Sequence, residues 1–124
     1  MKSYKELIIW QKSMQLVKEV YLLTEKFPRS EIYGITSQIR RAAVSIPSNI
    51  AEGYGRNYTK EYSLALSISY GSALELETQL QISKDLQFAK PSNFAKSESL
   101  LLEVLKMLNK TIATLRLKTL ATKH

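Results

Sequence analysis

The sequence predicts an all-α protein, an antiparallel up-and-down four-helix bundle that occupies residues 1–124 as one domain. Apolar residues recur at steps of three and four in four separate segments, which is the spacing of one helix face. The connecting segments are short and contain proline or glycine, and no segment alternates as a β-strand does. Short connectors between long helices favour antiparallel neighbours.

The first helix is predicted over residues 5–26, because Phe27-Pro28 pushes the chain out of helical angles. Two adjacent apolar stripes run along it. They consist of Leu7, Trp10, Met14, Val17 and Tyr21, and of Ile9, Leu16, Val20, Leu23 and Phe27. The stripes cover a wide arc, so we expect contact with two neighbouring helices or with another subunit. The predicted subunit interface consists of Trp10, Leu16, Leu23 and Phe27.

The second helix is predicted over residues 36–54, after a connector hinged at Gly34, with Thr36 or Ser37 as its N-cap. Pro47 removes one backbone hydrogen bond and costs about 3 kcal/mol in an ordinary helix. The helix therefore either ends after Ile46 or continues with a kink at Pro47. The apolar spacing stays in phase across Pro47, which favours the kink. Gly53 and Gly55 are expected to adopt the left-handed angles that end the helix.

The third helix is predicted over residues 59–87 and the fourth over residues 93–118, with Ser92 as the N-cap of the fourth. Gly71 lies mid-helix, where glycine costs about 1 kcal/mol relative to alanine. We therefore expect Gly71 to permit close approach of another helix. The fourth helix carries a heptad-like seam. The seam consists of Leu101, Leu105, Leu108, Ile112 and Leu115.

Composition predicts a non-enzymatic protein without a cofactor, a metal site or a small-molecule substrate. The chain has no cysteine, which excludes thiolate catalysis and Cys-ligated metals, and its only histidine is the terminal residue His124. A Ser-His-Asp arrangement cannot be built, and the Glu-x-x-His pairs of a di-iron bundle are absent. No apolar run is long enough for a membrane span, and the N-terminus lacks a signal-peptide pattern, so a cytoplasmic protein is expected.

A net charge of +7 favours RNA or DNA as partners, although solubility alone also explains such a charge. Arg40 and Arg41 either contact phosphate or form a structural pair with Glu52, Glu75 or Glu77. Arg56 and Lys60 flank a glycine turn that either binds an anion or only connects two helices.

The other candidates are a run of cations on the fourth helix and a group of tyrosines. The cations form either a polyanion-binding stripe or a solvated face. They are Lys106, Lys110, Arg116, Lys118 and Lys123. The tyrosines either stack on unpaired bases or pack within the fold. They are Tyr54, Tyr58, Tyr62 and Tyr70.

Several motifs over residues 4–88 together resemble one family. They are Trp10-Gln11-Lys12, Phe27-Pro28 with Glu31–Gly34, Gln38–Ala43 with Ser45–Pro47, Asn49–Gly53 with Arg56, and Gly71-Ser72 with Glu75–Glu77. This combination resembles the small bacterial four-helix bundle proteins encoded within intervening sequences of 23S rRNA genes. The fourth helix matches only as an amphipathic pattern.

The resemblance implies an up-and-down bundle, assembly as a ring-shaped homopentamer and no established enzymatic activity. A related branch includes the basic accessory protein of diversity-generating retroelements, which binds nucleic acid. We therefore expect an oligomeric protein that binds RNA or DNA through basic surface. The alternative is an adaptor or assembly module for another protein, with positive charge for solubility only. A membrane-surface role is disfavoured, because the apolar face of the fourth helix is needed for the core.

Overall fold

The computed structural model describes residues 3–122, and within this range the chain is all-α with no β-strand. It contains four α-helices and two short 3-10 helices, at Tyr4–Glu6 and Arg29–Glu31. The α-helices are Ile8–Thr24 (α1), Ile35–Gly55 (α2), Thr59–Asp85 (α3) and Pro91–Thr122 (α4). The predicted fold class is thus confirmed, and the four helices are close to their predicted positions.

Each helix packs against two others: α1 against α2 and α4, and α3 against α2 and α4. This packing is consistent with the predicted bundle. The core between the helices is apolar and draws on all four. Its fully buried members include Leu16, Val20, Ile39, Ile46, Ile50, Leu66, Leu76, Phe94, Val104 and Leu108. None of the helices described between residues 3 and 122 is both long and apolar enough to span a membrane.

The N-cap prediction for α2 was wrong. The helix begins at Ile35 and Gly34 is its N-cap, because the Gly34 carbonyl already accepts from the Gln38 amide at 3.3 Å. Thr36 therefore lies inside the first turn, where its side chain is buried. Its hydroxyl has no hydrogen-bond partner among the described residues.

The second helix runs without interruption through Pro47 to Gly55, so an end after Ile46 is excluded. Packing compensates for the missing amide, since Pro47 is itself buried. The adjacent Ser48 hydroxyl donates to the Val44 carbonyl at 2.8 Å. The prediction that the helix continues is therefore confirmed.

Both glycine predictions were wrong, for related reasons. No described glycine has a positive φ, and the left-handed residue after α2 is Asn57, at φ 62°. Gly53 lies inside α2, where an added Cβ would overlap the Cβ of Ala65 on α3. At Gly71 an added Cβ would meet no described atom within 4 Å apart from its chain neighbours and the backbone of its own helix. The close helix approach is therefore at Gly53 and not at Gly71.

This difference predicts opposite effects for two alanine substitutions. Gly71→Ala should stabilise the protein by up to about 1 kcal/mol, because alanine is the better helix former and has space. Gly53→Ala should destabilise it by about 1–3 kcal/mol, because α2 and α3 must move apart. Urea unfolding followed by circular dichroism at a fixed protein concentration measures both free energies. Equal stabilisation by the two substitutions would show that α2 and α3 do not meet at Gly53.

The fourth helix begins at Pro91, not at residue 93, and ends four residues beyond the predicted residue 118. Proline suits the first helical position, where the missing amide would have no intrahelical partner. Ser92 therefore lies within the first turn, and its prediction as N-cap was wrong. Lys123 and His124 lie outside the described residues.

Candidate nucleic-acid interface

Arg40 belongs to the contact between α1 and α2 and not to an ion pair. Its Nε donates to the Thr24 hydroxyl at 2.9 Å, and its guanidinium carbon lies 4.6 Å from the centre of the Tyr21 ring. None of the ion pairs between described residues includes Arg40 or the exposed Arg41. The predicted bond from this arginine pair to Glu52, Glu75 or Glu77 was therefore wrong.

Arg56 is exposed at the end of α2 and pairs with Glu52, one turn earlier in the same helix, at 3.0 Å. The hydrogen bond that Arg56 donates to Glu52 raises the pKa of Arg56, and the negative charges of Glu52 and Glu61 add to the effect. An exposed pair of this kind contributes little to stability. Its consequence is electrostatic, since two carboxylates offset the arginine's attraction for an anion.

Lys60 and Arg116, distant in sequence, line one surface groove between α3 and α4, which we call the basic groove. Its cavity measures about 460 Å³. The other lining residues are Ser63, Leu64, Ser67, Thr119 and Leu120, so no carboxylate lies among them. None of the ion pairs in the described part of the chain includes Lys60 or Arg116. The groove thus offers two cations and the apolar side chains of Leu64 and Leu120 to an anionic ligand.

Lys106, Lys110 and Lys118 are all exposed on α4. Lys106 and Lys110 are one turn apart and share one side of the helix, whereas Lys118 lies about 80° around the axis from Lys110. Glu103, close to this side, pairs with Lys12 of α1 at 3.4 Å. None of these three lysines lines the basic groove. Lys118 also does not continue the line of the other two along α4.

The four predicted interface residues are divided between core and surface. Leu16, Leu23 and Phe27 are buried within the single chain, so they are not exposed to a second subunit. Trp10 is half-buried at the surface, with its ring 5.3 Å from that of Tyr4. The two apolar stripes of α1 thus have different roles: the stripe with Leu16 forms the core, and the stripe with Trp10 reaches the surface.

The stripe with Trp10 forms one wall of a second groove, which we call the α1–α2 groove. Its cavity of about 410 Å³ is lined by Tyr4, Trp10, Met14, Val17, Val44, Pro47, Ser48 and Ala51. Val44 also lines an adjoining cavity with Tyr21, Ile32, Tyr33, Ser37, Arg40 and Arg41. Sequence reasoning missed the contribution of Met14, Val44 and Pro47, although Met14 was already assigned to the correct stripe.

A third groove, between α3 and α4 but away from Lys60, carries carboxylates. It measures about 580 Å³ and is lined by Glu77, Thr78, Leu80, Gln81, Ile82, Glu98, Leu101 and Leu102. We call it the acidic groove. Lys84 binds Glu98 at 3.3 Å, whereas none of the ion pairs between residues 3 and 122 includes Glu77. The described residues contain no group of three or more His, Cys, Asp or Glu side chains that could hold a metal ion.

Comparison with known proteins identifies one family whose sequences match this chain. The sequence profile of the 23S rRNA-intervening sequence protein family matches residues 5–110. The chain belongs to this family. The match includes most of α4 and therefore extends beyond the motifs at residues 4–88. Among curated proteins the comparison found no match.

One solved structure similar to this member of the intervening-sequence family is a protein of unknown function from Bacteroides thetaiotaomicron, described as belonging to the S23 ribosomal protein family. The two share 20% sequence identity with a TM-score of 0.78. The alignment covers 85% of this chain and 98% of that one. At this identity the likeness shows the fold and not the function.

Proposed function

We propose that this protein is a non-enzymatic, self-associating helical scaffold that binds RNA or DNA through the basic groove. One observation carries the proposal: Lys60 and Arg116 come together in a groove with no carboxylate among its lining residues. A guanidinium and an ammonium both bind phosphate oxygens. Leu64 and Leu120 add apolar surface that a sugar or base can contact. Because RNA and DNA are the proposed partners, we place the protein in the cytoplasm.

The remaining predicted cations have secondary roles in this proposal. Arg56 is close in sequence to Lys60 and would add a weaker phosphate contact, because Glu52 and Glu61 partly offset its charge. Lys118 lies about 200° around α4 from Arg116, so it would contribute long-range attraction and not a contact in the groove. Arg40 is held by Thr24 and Tyr21, so its main role is structural. Arg41, Lys106 and Lys110 would contribute long-range attraction only, and salt screens that attraction strongly.

The experiment is the binding of labelled RNA and DNA across a salt series. The logarithm of the binding constant should fall linearly with the logarithm of salt concentration, with a slope of about −1.4 to −2.7 for two to three phosphate contacts. Mobility shift or fluorescence anisotropy measures this slope. Absence of binding to single-stranded and duplex probes at low salt would remove the nucleic-acid role.

We also infer that the helices form an antiparallel up-and-down four-helix bundle. Contacts between neighbouring helices occur in reverse order along the chain, which supports this arrangement. On α1 and α4, Lys12 binds Glu103 and Glu19 binds Lys96, both at 3.4 Å. On α2 and α3, the Ser69 hydroxyl donates to the Ile46 carbonyl at 3.0 Å, whereas Gly53 adjoins Ala65.

The proposed self-association uses two surfaces of unlike chemistry. The α1–α2 groove is apolar and continues towards Arg40 and Arg41, while the acidic groove combines Ile82 and Leu102 with Glu77. Since α1 packs only against α2 and α4, these two grooves would lie on opposite sides of the bundle. Head-to-tail contact between unlike surfaces closes into a ring when the rotation permits. The family resemblance supplies the expected number, a homopentamer.

The α1–α2 groove also favours a second candidate function, an adaptor for another protein. Met14 and Val44 are exposed apolar side chains in this groove, and an amphipathic helix of a partner could cover them as well as a second copy could. A pull-down after nuclease treatment separates the two functions. Recovery of a stoichiometric protein partner, together with a failure to bind nucleic acid, would favour the adaptor.

A further inference from the structure

The turn between α2 and α3 forms a small surface cavity that is separate from the basic groove. It measures about 200 Å³ and is lined by Tyr54, Asn57, Tyr58, Thr59 and Tyr62. We call these five residues the tyrosine turn. Three of its five lining residues are tyrosines: Tyr54 from α2, Tyr58 from the connector and Tyr62 from α3. The chain contains seven tyrosines, so this one site holds almost half of them.

Backbone geometry creates the cavity. Asn57 takes the left-handed conformation at φ 62°, which reverses the chain within the three residues that separate α2 from α3. Tyr58 follows in an extended conformation and forms the N-cap position of α3. The Tyr58 side chain makes no hydrogen bond to the first turn of that helix, and it lines the cavity instead.

The three tyrosines have different environments. Tyr54 and Tyr62 pack edge to face, with ring centres 5.7 Å apart. Burial, and secondly the neighbouring Tyr54, raises the pKa of Tyr62. Tyr58, by contrast, is 68% exposed, and the ring pairs between described residues do not include it. Packing therefore explains Tyr54 and Tyr62 but leaves Tyr58 without a structural role.

The polar groups around the cavity suit a nucleobase better than an isolated anion. The Asn57 side-chain amide offers both a donor and an acceptor, the combination that base edges present. Arg56 and Lys60 flank the turn, but Glu52 and Glu61 act on Arg56 and offset its charge. The electrostatic attraction of the turn for phosphate is therefore weak, whereas an exposed aromatic ring can stack on any base.

The tyrosine turn adjoins the basic groove along the chain. Thr59 lines the cavity at the turn, and the next residue, Lys60, lines the basic groove. A nucleic-acid backbone bound at Lys60 would therefore pass next to Tyr58. This adjacency links a phosphate-binding surface to a site with the chemistry of base recognition.

We propose that the tyrosine turn binds one unpaired nucleobase, which stacks on the Tyr58 ring, so that the protein prefers single-stranded to duplex nucleic acid. The inference rests on the proposed function, because the basic groove supplies the phosphate contacts. A duplex keeps its bases stacked on one another and cannot insert one into the cavity without unpairing it.

The test compares Tyr58→Ala with Tyr33→Ala, using fluorescence anisotropy of a labelled single-stranded RNA and of its duplex. Tyr33 is 98% exposed and lies in another connector, before α2, so it controls for loss of a surface tyrosine. Because Tyr33 also lines the cavity beside the α1–α2 groove, light scattering must first show that both variants keep the native solution mass. Tyr58→Ala should weaken single-strand binding about 5- to 100-fold, the range for loss of one stacked base. Tyr33→Ala, and Tyr58→Ala on the duplex, should change affinity less than about twofold.

Two further measurements distinguish stacking from damage to the turn. Tyr58→Phe should restore single-strand binding to within about twofold of the native value, because the ring and not the hydroxyl makes the contact. Replacing all bases of the probe by abasic sites should weaken binding by the native protein and remove the difference between it and Tyr58→Ala.

The possible failures are separable. Unchanged single-strand affinity in Tyr58→Ala, equal losses on single strand and duplex, or no rescue by phenylalanine would each overturn the base site. If Lys60→Glu weakens binding and Tyr58→Ala does not, the base site is wrong and the basic groove stands. If the native protein binds neither probe, both proposals fail.

Discussion

Replacing Phe94 by alanine is expected to lower the free energy of unfolding by about 3–5 kcal/mol, the usual cost of truncating a buried phenylalanine. Phe94 lies in the first turn of α4 and is fully buried. Its ring centre is 5.9 Å from that of Phe27, which lies 5.7 Å from Phe88. These three rings join the segment after α1 to the connector between α3 and α4, where Phe88 lies, and to the first turn of α4. Removing the ring would leave a cavity, because the three segments around it cannot all move inwards to fill the space.

Urea unfolding followed by circular dichroism tests this expectation, with Leu117→Ala as the control. Leu117 is 68% exposed and lines none of the grooves described above, so its replacement should change stability by less than about 0.5 kcal/mol. All variants must be compared at one protein concentration, because self-association adds to apparent stability. A loss below about 1 kcal/mol for Phe94→Ala would contradict the assigned core.

The second large effect concerns assembly. The native protein should have a solution mass near five times that of the 14.1 kDa chain, and Met14→Asp should reduce it to that of one chain. Met14 lies in the α1–α2 groove with 44% of its surface exposed. Aspartate there would remain hydrated in the monomer but would lose water in an interface, which costs several kcal/mol for an unpaired charge.

Leu22→Asp is the matched control. Leu22 is on the same helix with a similar exposure of 47%, but it lines neither the α1–α2 groove nor the adjoining cavity. Its replacement should leave the mass unchanged. Light scattering gives the masses, and circular dichroism confirms that both variants stay helical. A monomeric native protein, or an unchanged mass for Met14→Asp, would contradict the assembly proposed here.

Sequence periodicity predicted the fold class well, because helix burial repeats every three to four residues whatever the neighbours are. The same periodicity predicted that α2 continues past Pro47. The helix starts were less accurate, since more than one residue near each start could serve as the cap. Gly34 and Pro91 begin their helices earlier than Thr36 and Ser92 would. Which alternative forms depends on the path of the preceding connector, and local composition does not specify that path.

The two stripes of α1 show why the surface was harder to predict than the fold. Both stripes are apolar, so their composition does not reveal which one faces the other helices. In the structure α2 and α4 cover Leu16 and leave Met14 exposed, a result of where those helices lie. Gly53 and Gly71 show the same limit, because only one of them faces a neighbouring helix.

The cationic residues were recognised individually, but their grouping required the fold. Lys60 and Arg116 belong to different helices and share no motif, yet they line one groove. Arg40 and Arg41 are adjacent in sequence and have different environments, because only Arg40 reaches Thr24 and Tyr21. Charge patterning therefore leads only to a prediction about the kind of partner, whereas tertiary packing determines which cations share a surface.

The central claim is that the basic groove, and not net charge, binds nucleic acid. The most direct test is the affinity for single-stranded RNA of Lys60→Glu/Arg116→Glu, compared with Lys106→Glu/Lys110→Glu. Both double variants change the net charge equally. At about 0.15 M salt, where charges more than about 8 Å away are screened, the groove variant should lose at least about tenfold in affinity and the α4 variant less than about threefold. Equal losses, or a native protein that does not bind, would contradict the claim.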